Sequence, residues 1–197
     1  MSEEAYDWSA GTWLNRPERA EPVGGGGLLV EPRGGSDFWR RTSYGFVHDD
    51  GSALLAPFPA GSAVEVSFVL DYTAQFDQAG VLVRVDERRW TKAGVEVSDG
   101  APQVGAVVTD EFSDWSVAPV PQWSGREVTV RVSRAGDALT VRARCADEPW
   151  RLVRVAARPG GGGVGRAVLL LAQPGRAAGP LHRLAAGPAD AALHPEA

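Results

Sequence analysis

Hydrophobic and polar residues alternate with a period of two through much of this chain. Between Ser62 and Tyr72, Val64, Val66, Phe68, Leu70 and Tyr72 fall on one side and Glu65, Ser67 and Asp71 on the other, the signature of a half-buried antiparallel strand. Farther on, Ala79, Val81, Val83 and Val85 take one face of a strand, and Gln78, Gly80, Leu82 and Arg84 take the opposite one. After the polar turn Glu87-Arg88-Arg89 the pattern resumes, with Ala93, Val95 and Val97 toward a core and Trp90, Lys92, Gly94 and Glu96 beside the Gln78 row, because successive side chains point to opposite faces. Val128 to Ser133 and Leu139 to Arg144, joined by Arg134-Ala135-Gly136-Asp137, predict a hairpin. Its inward set is Val128, Val130, Val132, Leu139, Val141 and Ala143, and its outward set is Arg and Thr. A further strand is predicted from Trp150 to Ala156.

The N-terminal part predicts an opening strand around Trp8, Trp13 and Leu14, a polar connection, and a second strand at Leu28-Leu29-Val30 entered through the turn Gly24 to Gly27. That glycine run is not a phosphate loop, since no Lys-Ser/Thr pair opens a helix after it. Ser36 to Phe46 gathers aromatic residues ahead of a turn at Asp49-Asp50-Gly51-Ser52. Before residue 160 no segment carries several turns of helical periodicity, and Gly and Pro interrupt each run. From residue 166 the chain is an atypical Ala/Gly/Pro-rich tail, read as low-complexity and disordered, so the domain is expected to span 1–165. A G-x-G-x-x-G match at Gly160, Gly162 and Gly165 lacks the helix that dinucleotide binding requires.

With 197 residues, 44% of them hydrophobic and 23% charged, one substantial core is expected, and short strands at regular spacing favour an undivided all-β domain. A net charge of -5 with 20 scattered Lys and Arg argues against nucleic acid, which selects a basic stripe. Cys145 is the only cysteine, so no intrachain disulfide can form. The acidic start and the lack of a long apolar run predict neither a signal peptide nor a membrane span, hence a cytoplasmic location.

Three blocks, SDFWRRTSYGFVHDDG, DQAGVLVRVDERRWTKAGVEVSDG and VVTDEFSDWS, resemble the "regulation of enolase" protein family, a family of unknown function. The resemblance covers about Trp13 to Gly165; beyond it the family's closing strand is not matched, which implies a tail translated out of frame and a sandwich left with an unprotected sheet edge. It implies a concanavalin A-like β-sandwich, or jelly roll, of two antiparallel sheets, one of them concave. It also implies that the family's recurrent polar and aromatic positions fall at Asp37, Trp39, Tyr44, Gln78, Trp90, Lys92, Glu96, Asp99, Asp114 and Trp115.

Periodicity and resemblance agree on Gln78, Trp90, Lys92 and Glu96. The expected ligand-binding set is Trp39, Tyr44, Gln78, Trp90, Lys92, Glu96 and Trp115, because sugar rings favour aromatic faces beside directional hydrogen-bonding groups. The bland alternative is a solvated Lys/Glu pair with an indole packed on the lysine stem. No catalytic residue, metal ligand or cofactor is assigned. Glu96, Asp99 and Asp114 are the acids a glycosidase would need, but Asp99-Gly100 reads as a turn and Asp114 as a loop cap. His48, His182 and His194 accompany no G-x-S-x-G elbow, and Asp49/Asp50 and Asp110/Glu111/Asp114 lack the spacing of a calcium loop. The expected function is non-catalytic binding of a small polar ligand, a carbohydrate or sugar-derived metabolite. The alternatives are a protein-interaction module regulating a metabolic enzyme and a glycoside hydrolase-like enzyme.

Overall fold

The computed structural model describes residues 4–5, 7–157, 165–172 and 179–194. Within them the chain forms β1 (Glu4–Ala5), β2 (Thr12–Leu14), β3 (Arg19–Val23), β4 (Gly27–Glu31), β5 (Phe38–Arg40), β6 (Val47–Asp49), β7 (Ser52–Phe58), β8 (Ser62–Val69) and β9 (Gln78–Arg84). It continues with β10 (Arg89–Ser98), β11 (Ala101–Asp110), β12 (Phe112–Pro119), β13 (Glu127–Ala135), β14 (Ala138–Cys145), β15 (Arg151–Ala157), β16 (Gly165–Ala172) and β17 (Gly179–Pro188). Helix is limited among the described residues to three short 3-10 turns.

Two antiparallel sheets pack face to face. One runs β15-β14-β13-β8-β17-β4-β3, with β1 also paired to β17, and the other runs β12-β11-β10-β9-β16-β7-β2. This is the expected concanavalin A-like β-sandwich. The alternating apolar sets meet between the sheets: Val66, Phe68, Val128, Val130, Val132, Leu139 and Val141 from one, Ala79, Val81, Val83, Ala93, Val95 and Val97 from the other, all nearly inaccessible to solvent. Each fully buried Val or Phe of this kind contributes roughly 1.5–3 kcal/mol. The β13–β14 hairpin closes Ala135 against Ala138, with Gly136 at φ +57.

The chain departs from the sequence reading at both ends. Trp8–Ala10 is a 3-10 turn rather than strand, started where the Asp7 carboxylate accepts the Ser9 amide at 2.9 Å. The polar connection contains β3, whose charge and Pro22 suit the sheet edge it occupies. The tail expected from residue 166 is corrected most. β16 lies between β9 and β7, and β17 lies between β8 and β4, so both sheets run past residue 165. A β-bulge explains why β17 shows no alternation. Its register shifts between Leu181 and Arg183, so Leu181 and Leu184, three positions apart, both reach the core at 0% and 3% exposure, as an extra residue in one strand allows. Residues 158–164, where most of the glycine match falls, and 173–178 and 195–197 of the expected tail lie outside the described residues.

Beyond β17 the chain crosses the outer face of its sheet. The Asp190 amide donates to Ser133 Oγ at 2.8 Å, and its carboxylate accepts from Arg131 Nε at 2.8 Å and from Arg142. Arg131 also donates to Glu65 Oε1 at 2.6 Å. The hairpin face expected to be solvated is therefore partly covered by an ion network.

Candidate functional site

Register places the outer face of the seven-stranded sheet in rows. Arg84, Trp90, Thr109 and Ser113 form one row, Leu82, Lys92, Val107 and Trp115 the next, then Gly80, Gly94, Gly105 and Val117, then Gln78, Glu96 and Gln103. The glycine row shapes the face. A Cβ on Gly80 or Gly94 would stand 2.0 Å from a carbonyl oxygen of the neighbouring strand, and one on Gly105 would stand 2.2 Å from another, so these positions admit no side chain and leave bare backbone as the floor of a groove.

The β5–β6 ribbon covers the first row. The Arg40 amide donates to Ser113 Oγ at 2.9 Å, and its buried guanidinium reaches the Glu111 and Glu87 carbonyls at 3.3 and 3.4 Å. Arg84 clasps the Asp49 carboxylate with two bonds of 2.5 and 2.8 Å. Phe38 packs edge-on against Trp90, ring centres 5.9 Å apart. Trp90 is on the face its parity assigned, but it is 0% exposed and does not line the pocket. Its expected role in ligand contact is corrected, because a distant segment covers it.

Where the ribbon ends, a pocket of about 350 Å³ opens. Trp39, Tyr44, Phe46, Phe76 and Trp115 supply its rings, His48 its imidazole, and Asp37, Lys92 and Glu96 its charges. Trp39 meets Tyr44 and Trp115 edge-to-face at 5.5 and 6.2 Å, a favoured aromatic geometry. The Trp39 indole donates to the Thr42 carbonyl at 3.0 Å. Phe76 holds φ +67, an uncommon backbone for a bulky residue, with its side chain in the wall. Of the expected ligand set, Trp39, Tyr44, Lys92, Glu96 and Trp115 share this pocket, while Gln78 lines the shallower groove that continues beside it.

The charges at the base are interlocked. Asp37 Oδ1 accepts from the Phe38 amide at 2.7 Å, from Gln78 Nε2 at 3.1 Å and from Lys92 Nζ at 2.8 Å. Gly94, between Lys92 and Glu96 on this face, leaves nothing to hold the two apart, and Lys92 Nζ stands 3.9 Å from Glu96 Oε2. Burial pushes the Glu96 carboxyl up to about 7, with Lys92 opposing the rise and Asp37 adding to it.

Asp37, Phe46, Phe76 and His48 were missing from the sequence-derived ligand set. Asp37 was visible as a recurrent position, whereas His48 was weighed as a triad histidine, and nothing in Phe76's neighbourhood marked it. Asp99 instead takes φ +53 in the β10–β11 turn. Asp114 is mostly exposed and meets Arg154 at 3.4 Å, so neither candidate acid accompanies Glu96. Among the described residues no cluster of three or more His, Cys, Asp or Glu is arranged to hold a metal, and no helix is long and apolar enough to cross a membrane.

A family described as "Protein of unknown function (DUF1349)" matches residues 13–173. The "Regulation of enolase protein 1" of Saccharomyces cerevisiae is 36% identical over 151 residues, 77% of this chain and 75% of that one. A crystal structure of a functionally unknown protein from the same yeast superposes with a TM-score of 0.81 at 30% identity, covering 93% of this chain and 98% of that one. Two more distant structures share the fold alone. A xylan β-1,4-xylosidase from Bacillus halodurans has a TM-score of 0.69 at 15% identity, over 94% of this chain but 39% of the enzyme. The CBM2 module of the Lactobacillus casei phage J-1 evolved Dit has a TM-score of 0.59 at 12% identity, over 93% of this chain and 94% of the module.

Proposed function

The chain belongs to the DUF1349 family and is similar to the yeast regulation of enolase protein, and from that premise we propose that it is a non-catalytic, cytoplasmic β-sandwich protein that binds a small polar ligand, a carbohydrate or sugar-derived metabolite. One observation carries this reading: aromatic rings wall a pocket of about 350 Å³ whose base holds a buried lysine between two carboxyl groups. That volume is within the roughly 300–1,000 Å³ usual for small-ligand sites. Faces of Trp and Tyr accept the apolar side of a sugar ring, while Lys92, Asp37 and Glu96 offer the directional donors and acceptors that its hydroxyls need. The CBM2-module neighbour is consistent with it at the level of fold. The one cysteine, Cys145, is a buried free thiol, which suits a reducing compartment.

A glycan and metabolite array followed by calorimetric titration tests this. Binding of a sugar or sugar derivative that is lost in Trp115→Ala and weakened in Glu96→Gln is the expected result; an array with no hit in either class ends the reading.

A second reading rests on a different observation. Tyr44, Phe46 and Phe112 are exposed by 53%, 44% and 57%, at the pocket rim and on the neighbouring β12, where exposed rings suit a protein partner. The name of the yeast relative directs that reading to a metabolic enzyme. Co-sedimentation with purified enolase that is abolished by Tyr44→Ser and Phe112→Ser, with the sugar array empty, is its expected signature.

A further inference from the structure

We propose that the ligand is held by a vicinal pair of hydroxyl groups bridging Lys92 and Glu96, and that Glu96 engages them as the carboxylate, so that binding expels a proton from the pocket. This rests on the carbohydrate reading and narrows it to neutral polyols with adjacent hydroxyls.

The geometry supplies the argument. Lys92 Nζ spends one of its three N–H donors on Asp37 at 2.8 Å and lies 3.9 Å from Glu96 Oε2, beyond hydrogen-bonding reach. One hydroxyl oxygen can stand about 2.8 Å from both atoms at once, accepting from the ammonium and donating to the carboxylate. A hydroxyl on the adjacent carbon then reaches the second Glu96 oxygen. The glycine row beside them provides floor without side chains, so a flat ring can lie across it under Trp115.

Among the described residues Glu96 has no other strong partner. Across the ladder it faces the neutral amides of Gln78 on β9 and Gln103 on β11. Lys92 faces it from its own strand, Asp37 from the segment before β5, the Trp115 indole from β12, and His48 from β6, the last with Nδ1 held 3.1 Å from Asp50 Oδ1. One cation, already committed to Asp37, therefore serves two acids. In the free protein near neutrality the proton on Glu96 relieves this crowding, consistent with its carboxyl titrating at about 7. A bridging diol replaces that proton with two charge-assisted hydrogen bonds, which are stronger with the carboxylate than with the neutral acid. The proton passes to the buffer, and the ligand itself does not change charge.

The test is an NMR titration of the full chain with D-xylose, D-glucose and myo-inositol across about pH 5.5 to about pH 8.5, together with the titration of 13C-labelled glutamate carboxyls, Glu96 being identified by its absence in Glu96→Gln. Expected is an affinity for at least one of these polyols that falls about thirty-fold from pH 8 to pH 5.5, as linkage to a group titrating at about 7 requires. Bound polyol should also displace the Glu96 midpoint downward. The pH dependence should persist in His48→Asn and flatten in Glu96→Gln. Binding that is equal at both pH values, tighter in acid, or equally pH-dependent in Glu96→Gln overturns proton coupling while leaving the carbohydrate reading in place. No binding of any of the three at any pH overturns the polyol assignment, and the array then decides whether a sugar derivative of another kind occupies the pocket.

Discussion

Asp37 and Lys92, 55 residues apart in sequence, meet at 2.8 Å, Oδ1 to Nζ, at the base of the pocket. The lysine side chain is only 5% exposed, and the Asp37 carboxylate is its hydrogen-bonded counter-charge, Glu96 standing farther off at 3.9 Å. Removing the hydrogen-bonded partner of a buried charge leaves that charge poorly compensated, here with only the more distant Glu96, which costs far more than an exposed pair is worth. Asp37→Ala is expected to lose about 3 kcal/mol in denaturant unfolding. Lys92→Met should cost clearly less, since Asp37 keeps the Phe38 amide and Gln78. Equal losses in the two variants would show that the pair is not what holds the base together.

Glu96 makes stability fall as pH rises. Its folded carboxyl titrates at about 7, above the roughly 4.3 of an unfolded chain, so between these values the folded state holds a proton that the unfolded state has released. The associated stability is fully present below about pH 4, declines through the interval, and is gone above about pH 7. The native protein should lose up to roughly 3 kcal/mol from this group between pH 5 and pH 8. Glu96→Gln should remove that part of the slope, as paired unfolding curves at the two pH values can measure.

Trp90 and Trp115 lie in neighbouring rows of one sheet face, on β10 and β12, yet do different work. Trp90, wholly buried under Phe38, should cost about 3–5 kcal/mol of stability when changed to alanine. Trp115 is only partly buried, so Trp115→Ala should cost less than about 2 kcal/mol while abolishing ligand binding. Thermal unfolding alongside ligand titration separates the two.

Gly94→Ala should be among the most damaging single-methyl additions to this chain. The new Cβ would lie 2.0 Å from the Ala79 carbonyl oxygen, and backbone in mid-sheet has nowhere to retreat. A loss of at least about 3 kcal/mol, or failure to fold, is expected in circular dichroism melts. A folded variant with native stability would mean that β9 and β10 are farther apart than described.

Asp190→Ala tests the segment that follows β17. Its carboxylate serves Arg131 and Arg142, whose side chains are each 12% exposed. A loss of about 2 kcal/mol, little changed by salt, is expected for such a partly buried network. An effect erased by salt would place the network in solvent.

Much of this was legible before any coordinates. Val64, Val66 and Phe68, the valines of β9, β10 and β13, and both residues of the Asp99-Gly100 turn behave as their spacing implied. So do Lys92 and Glu96, which share a face. Legibility failed at β17, where the bulge at His182 shifts the period so that Leu181 and Leu184 face the same way, and at Trp90, whose parity was right and whose exposure was not.

The difference has a physical origin. Which side of a strand a residue occupies follows from the pleat, a matter of covalent geometry over two residues, and the order of amino acids alone determined it here: the inward valines and a polar row from Gln78 to Glu96. Whether an outward residue meets solvent, a ligand or another side chain depends on where remote backbone lands. Only the tertiary structure decided that the β5–β6 ribbon seals Trp90, that Asp37 comes to Lys92, and that the bare row of Gly80, Gly94 and Gly105 leaves Glu96 looking into an aromatic pocket.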